Sequence, residues 1–235
     1  MNVKAILTPP RKRGVEILDR PDVDPTIVTR SLKDVARSNL LFGGLSAAIK
    51  EVEEALKEVP LNATLLDIGC GLGDITSRAR DVAEQNGIGL TTFGLDSALE
   101  LSLASKSAVD AAVCGDGLRL PFANSSVDIV MCSQVLHHFA GKNALTLLRE
   151  MDRVARVRVI VSDLRRSWIA AAGLWLASFP LRFHAVSRHD GVVSVLRGFT
   201  PEELTDTVRK AVPRVPTVTS RRGFRVTASW SPAAR

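Results

Sequence analysis

The stretch Leu65-Leu66-Asp67-Ile68-Gly69-Cys70-Gly71-Leu72-Gly73-Asp74 constrains this chain more than any other. A short apolar run ends in an acid, and glycine then recurs at every second position. Beyond it, Ile75, Ala79, Val82 and Ala83 fall at helical spacing until Asn86-Gly87 supplies a stop. Strand, glycine turn and helix in that order form the geometry that holds a nucleotide-like cofactor at the carboxyl end of a parallel strand. Glycine suits such a turn because it accepts unusual backbone angles and lets a ligand approach the main chain. The dinucleotide fingerprint has two residues between its second and third glycines, whereas one residue separates Gly71 from Gly73. That spacing argues against a dehydrogenase.

The flanking segments alternate between strand and helix. Residues 1 to about 24 are proline-rich and read as an irregular arm. Asp24-Pro25 is an N-cap with proline at the first helical position, opening a helix through roughly Asn39. Gly43-Gly44 breaks the chain, and a second helix puts Ile49, Val52 and Leu56 on one face before Pro60. Residues 1–60 thus form an arm and helical cap, from which Arg37, Asn39 and Phe42 could touch a ligand. Residues 61–235 form the main domain. Within it, 90–96, 111–116, 127–133 and 157–163 read as further strands. Ser97-Ala98-Leu99-Glu100 reads as a capping box. Asn143 reads as the cap of a helix whose Leu145, Leu148, Met151 and Ala155 share a face. The expected fold is α/β, a Rossmann-like, mostly parallel sheet with helices on both faces and an N-terminal helical cap. After residue 164 the alternation breaks for a helical insert at about 165–199, and Thr200-Pro201-Glu202-Glu203 opens another helix. Residues 215–219 and 224–229 read as a terminal hairpin.

A chain of 235 residues with 46% hydrophobic and 24% charged content fits one soluble α/β domain. The net charge of +6 comes from scattered arginines rather than a run, which favours an ordinary basic surface over nucleic-acid binding. Cys70, Cys114 and Cys132 show no metal-ligand spacing, and their odd, sparse count suits reduced thiols in the cytoplasm. The N-terminus, with Lys4 and Arg11-Lys12-Arg13, lacks the apolar core of a signal peptide. The apolar run from Trp168 to Leu181 is too short to span a bilayer.

Three acids, Asp67, Asp96 and Asp116, terminate successive predicted strands, whose ends would line one crevice. A carboxylate at Asp96 suits a vicinal diol; Asp116, followed by Gly117 and Leu118, suits an adenine amino group and ring. For each acid the competing role is capping the next helix. The segments from Cys114 to Phe122, Ser126 to Val130 and Val135-Leu136-His137-His138-Phe139 follow in order. Together with the glycine turn they resemble the small-molecule branch of the class I S-adenosylmethionine (SAM) dependent methyltransferases, which includes quinone-biosynthesis and natural-product enzymes. The resemblance runs from about Leu65 to Asp163 and implies a seven-stranded sheet whose last hairpin supplies one antiparallel strand. It implies methyl transfer from SAM, with S-adenosylhomocysteine as product. It assigns Asp67, Gly69, Cys70, Gly71, Gly73, Asp96, Ser97, Asp116, Gly117, Leu118 and Ser133 to the cofactor.

Methyl transfer depends on alignment and on deprotonating the acceptor. His137 and His138 lie just past the fourth strand and are the candidate bases, weighed against packing and capping roles; His184 and His189 are rivals in the insert. Trp168, Ile169, Leu174, Trp175, Leu176 and Phe179 make a helix that is apolar all round, which implies burial on more than one side. A lid over a lipophilic acceptor, with Trp168, Trp175 and His184 as contacts, competes with simple domain packing. Peripheral membrane docking is a third reading, since Arg165, Arg166 and Arg182 flank the run. The expected partner is therefore a small phenolic, polyketide or quinone-like acceptor methylated at oxygen, without a metal. The alternatives are an RNA methyltransferase and a silent SAM-binding partner protein. Against the first, no Pro-Pro-aromatic motif follows the fourth strand, and aromatic residues for stacking bases are few.

Overall fold

The computed structural model describes residues 7–232 except residues 13 and 21. Lys4 and Arg13, named above, lie outside the described residues. Two cap helices, α1 (Pro25–Leu41) and α2 (Gly44–Leu56), precede strand β1 (Asn62–Ile68). The chain then runs through α3 (Asp74–Gln85), β2 (Gly89–Asp96), α4 (Leu99–Ser105), β3 (Ala111–Cys114) and β4 (Val127–Ser133). It continues through α5 (Lys142–Val154), β5 (Ala155–Leu164), α6 (Trp168–Ala177), α7 (Ala185–Arg197) and α8 (Pro201–Ala211). The hairpin β6 (Thr217–Arg221) and β7 (Arg225–Trp230) ends it.

The seven strands form one sheet in the order β3-β2-β1-β4-β5-β7-β6. β1 pairs in parallel with both β2 and β4, so the strand order reverses there and opens a crevice at their carboxyl ends. β7 runs antiparallel to β5, from Val159 opposite Trp230 to Leu164 opposite Arg225. Alternation along β4 explains the two cores. Val130 and Cys132 face Leu147, Leu148 and Met151 of α5 and Leu204 and Val208 of α8. Ile129 and Met131 face Val52 of α2 and Ile75 and Ala79 of α3. Each such leucine, isoleucine or valine contributes about 1.5–3 kcal/mol by leaving water.

Local chemistry decides the element ends. Asp24 accepts from Thr26 N at 2.7 Å with Pro25 at the first position, and Thr200 and Glu203 make the reciprocal capping box of α8. Three expectations are corrected. The box at Ser97–Glu100 does not form: Ala98 is the N-cap of α4, and Asp96 rather than Ser97 accepts its amide, at 3.1 Å. β3 stops at Cys114, so Asp116 lies beyond the strand. α5 begins at Lys142 behind Gly141, not at an Asn143 cap, and Ala155 already belongs to β5.

The insert is the largest departure. α6 packs against α7 along one side, so Trp168 stays 43% and Trp175 47% exposed, and within α6 only Ala171 is buried. Uniform apolar composition had implied burial all round; one neighbouring helix cannot supply it. Trp175 meets Phe179 edge-on at 4.9 Å, and the Arg188 guanidinium lies 3.8 Å over Phe179. Described parts of the N-terminal arm are tied to the insert: Ile17 N and Leu18 N donate to Asp190 at 2.8 and 2.9 Å, and Arg166 Nε donates to Pro9 O at 2.7 Å.

Candidate active site

A cavity of about 870 Å³ opens at the carboxyl ends of β1, β2 and β4 and extends beneath the cap, the arm and the insert. Asp67, Gly69, Cys70, Gly71, Asp96, Ser97 and Ser133 line one end. Gly69 N and Cys70 N both donate to Leu95 O, at 2.7 and 3.2 Å, which pins the glycine turn to the end of β2. Gly69 has φ +69°, and a Cβ there would stand 2.4 Å from Val135. Gly71 has φ +55°, and a Cβ there would meet nothing within 4 Å, so that side of the turn faces open space.

The polar groups at this end are incompletely satisfied. Asp67 is 2% exposed; its Oδ2 accepts from Thr76 Oγ1 at 2.7 Å, while Oδ1 has no partner. Burial pushes Asp67 up to about 7 against the Thr76 bond, helped by the charges of Asp74 and Asp96. The Ser133 hydroxyl is also buried without a partner. Asp96 accepts from Gly71 N at 3.2 Å and from Ala98 N, and still borders the cavity. An orphaned carboxylate oxygen, an orphaned hydroxyl and a second carboxylate fit a ligand bearing an ammonium group and a sugar diol. Cys70 is also here, its thiol pushed up to about 12 by burial and so inert as a nucleophile.

At the other end a single turn, Leu136–His138, presents two histidines. His137 is buried, and its Nδ1 lies 2.7 Å from Asp163 Oδ1. Asp163 Oδ2 accepts from His137 N at 3.0 Å, and Oδ1 also accepts from Leu164 N at 2.7 Å. Burial alone would raise Asp163, but the His137 ring and these bonds hold it below the usual carboxylate range. An ionised carboxylate only accepts, so Nδ1 carries the proton of this bond, and in the uncharged tautomer that leaves Nε2 an acceptor. Nε2 is buried without a hydrogen-bond partner, 3.8 Å from Glu16 Oε1. His138 is exposed. Burial disfavours its charged form, but the Asp19 bond at 3.2 Å and the Glu16 and Asp163 charges raise it overall.

Glu16, His137 and His138 bring three donor atoms close together. The two rings lie 4.3 Å apart and 33° from parallel. Arg197 Nη1 already occupies Glu16 Oε1 at 2.9 Å. Glu16 thus links both histidines to Arg197 in one ion-pair network.

Several sequence candidates stand outside the lining. Gly73 opens α3 with φ +76°, where a Cβ would lie 2.8 Å from Ala108. Asp116 accepts from Leu118 N at 2.9 Å in a local turn, while Gly117 lies against Ile68 and Leu147 and Leu118 packs on the core. Trp168 and Trp175 lie outside the lining, on the exposed part of α6, whereas Ile169, Ala170, Gly173 and Leu174 border the cavity. His184 caps α7, its Nδ1 accepting from Val186 N at 3.3 Å, and His189 pairs with Asp190 at 2.7 Å. Asn39 and Phe42 reach the cavity; Arg37 instead donates to Leu181 O at 3.2 Å. Sequence reasoning missed Glu16, Asp163 and Arg225. A fourth acid ending a strand was a signal for Asp163, and an arginine opening an otherwise uncharged strand was one for Arg225.

Residues 66–161 match a family described as a methyltransferase domain. Those residues, under half of the chain, are thus a SAM-dependent methyltransferase domain. Over 107 residues it is 34% identical to a demethylmenaquinone methyltransferase of Bacillus licheniformis, covering 43% of this chain and 44% of the relative. Over 137 residues it is 29% identical to a norajmaline N-methyltransferase of Rauvolfia serpentina, covering 52% and 44%. The chain thus spans less than half the length of these curated relatives. The methyltransferase fold extends much further than this sequence likeness. A plantazolicin methyltransferase solved with S-adenosylhomocysteine aligns at TM-score 0.67 and 15% identity, covering 90% of this chain and 92% of that one. A SAM-dependent methyltransferase from Aquifex aeolicus aligns at 0.62 and 16% identity, covering 90% and 100%.

Proposed function

We propose that the protein transfers a methyl group from SAM to the oxygen of a small apolar acceptor of phenolic, polyketide or quinone-like type. The observation that carries this reading is the buried, unpartnered Nε2 of His137, aligned through Nδ1 by Asp163 in the cavity that also contains the orphaned Asp67 and Ser133 groups. Bound SAM would supply an electrophilic methyl on a sulfonium, held by Asp67, the Gly69–Gly71 backbone, Asp96 and Ser133. The acceptor would lie against Leu18, Leu32, Leu174, Phe183 and Val195, which make that part of the cavity apolar. His137 Nε2 takes the hydroxyl proton. Asp163 keeps the tautomer and stabilises the imidazolium that forms, the division of labour known from hydrolytic triads. The cap, arm and insert exclude water, so the oxyanion meets the methyl group unhydrated. The likeness to a demethylmenaquinone methyltransferase supports a quinone-like acceptor.

The test is turnover with a panel of long-chain phenols and hydroxyquinones, in wild type and His137→Ala. A general base contributes roughly 10²–10⁴-fold. The variant should lose turnover on that scale, regain part of it as pH approaches the acceptor's own pKa, and keep its affinity for S-adenosylhomocysteine. Unchanged turnover, or equal loss at every pH, would remove His137 from the chemistry.

A further inference from the structure

Resting on that reading and deepening it, we propose that Arg225 is the receptor for the carboxylate of the cofactor's amino-acid moiety. Arg225 is the first residue of β7, opposite Leu164 at the end of β5, and borders the cavity while only 3% exposed. Its partners are neutral: Nη1 donates to Gln134 Oε1 at 3.1 Å and Nε to Phe42 O at 3.4 Å. Among the described residues Nη2 has no acceptor and no acid lies within 4.0 Å of the guanidinium. Asp163 supports its charge from further off, but the Asp163 oxygens are committed to His137 and Leu164 N. Burial pulls Arg225 down to about 10, the mark of a cation short of a counter-charge.

The surroundings hold this group in place. Gln134 has φ +56°, a conformation few non-glycine residues adopt, and its amide donates to Asn39 Oδ1, which aims Oε1 at Arg225. Gly43 and Gly44 start α2 beside it, at the positive end of a helix dipole. A Cβ on Gly44 would sit 3.2 Å from Nη2 and 2.7 Å from Asn39 Oδ1, so any side chain there would crowd the face of the guanidinium. A planar, rigid donor fork of this kind matches a carboxylate. The cofactor is favoured over the acceptor as its source because Gln134 continues from Ser133 into Val135, which packs on Gly69 of the glycine turn. Asp67, on β1 at the glycine turn, offers an unsatisfied carboxylate oxygen to the same cavity. An orphaned acid and an underpaired arginine lining one cavity suit a zwitterion.

Calorimetric affinities of S-adenosylhomocysteine and 5′-methylthioadenosine, which lacks the amino-acid group, test this in wild type, Arg225→Met and Arg225→Lys. Arg225→Met should weaken S-adenosylhomocysteine roughly tenfold or more while leaving methylthioadenosine unchanged. Arg225→Lys, which keeps the charge without the fork, should fall between and covers the case where the methionine variant fails to fold. Equal losses for both ligands in a folded variant would make Arg225 structural and overturn the proposal. Unchanged S-adenosylhomocysteine affinity would overturn it too, and would redirect the guanidinium to an acidic acceptor. Failure of wild type to bind either ligand would instead refute the underlying functional reading.

Discussion

Asp67 is held between burial and charge. Its ordinary value of 3.8 rises to about 7 because the carboxyl is buried with one Thr76 hydroxyl for company. The folded form therefore binds more protons than the unfolded one between about pH 4 and 7, so ligand-free stability falls as pH rises through that window. An ammonium-bearing ligand selects the ionised carboxylate and drives a proton off. Affinity for S-adenosylhomocysteine should thus climb from about pH 6 to 8 in wild type and flatten in Asp67→Asn, with proton release vanishing in the variant. Parallel profiles for the two proteins would assign Asp67 to Thr76 and the turn alone. Asp67, Gly69, Gly71 and Asp96 could be picked out in sequence because strand, turn and acid lie within short local spans. The partners that complete the site could not. Asp163 reaches His137 from 26 positions away, and Arg225 reaches Gln134 from 91. Only the sheet order brings them together, and no local periodicity records it.

At the scale of elements, the alternation of strands and helices was readable because apolar residues recur with periods of two and 3.6. Helix ends held where a side chain caps them, as at Asp24 and Thr200, and shifted where backbone takes over, as at Ala98 and Gly141. α6 misled because composition reports how apolar a helix is, not how many neighbours it has. Its cavity-facing contribution includes Gly173, where an added Cβ would meet nothing within 4 Å. Gly173→Leu should therefore fill acceptor space. KM for bulky acceptors should rise several-fold or their turnover be lost, while S-adenosylhomocysteine affinity and melting temperature stay near wild type, since Leu is also the better helix former. Steady-state kinetics across acceptors of graded size checks this. A uniform effect on all sizes would place the acceptor elsewhere.

The whole molecule divides its labour between a sheet that carries the polar groups and a covering layer that shuts them in. Asp190 of α7 accepts the amides of Ile17 and Leu18, and Arg197 ties Glu16 and Asp19 to the same helix. The arm thereby delivers Glu16 to within 3.8 Å of His137, so the acceptor end exists only when arm, insert and β4–β5 edge are assembled. Among the described residues no helix is long and apolar enough to cross a membrane. All of this presupposes that the crevice beside β1 receives the methyl donor. Calorimetric titration with S-adenosylhomocysteine, with NADH as control, tests it most directly in wild type and Asp96→Ala. The predicted result is micromolar binding of the first ligand alone, weakened about tenfold or more once the Asp96 carboxylate and its hold on Gly71 are gone. A folded wild-type protein that does not bind S-adenosylhomocysteine would contradict the account.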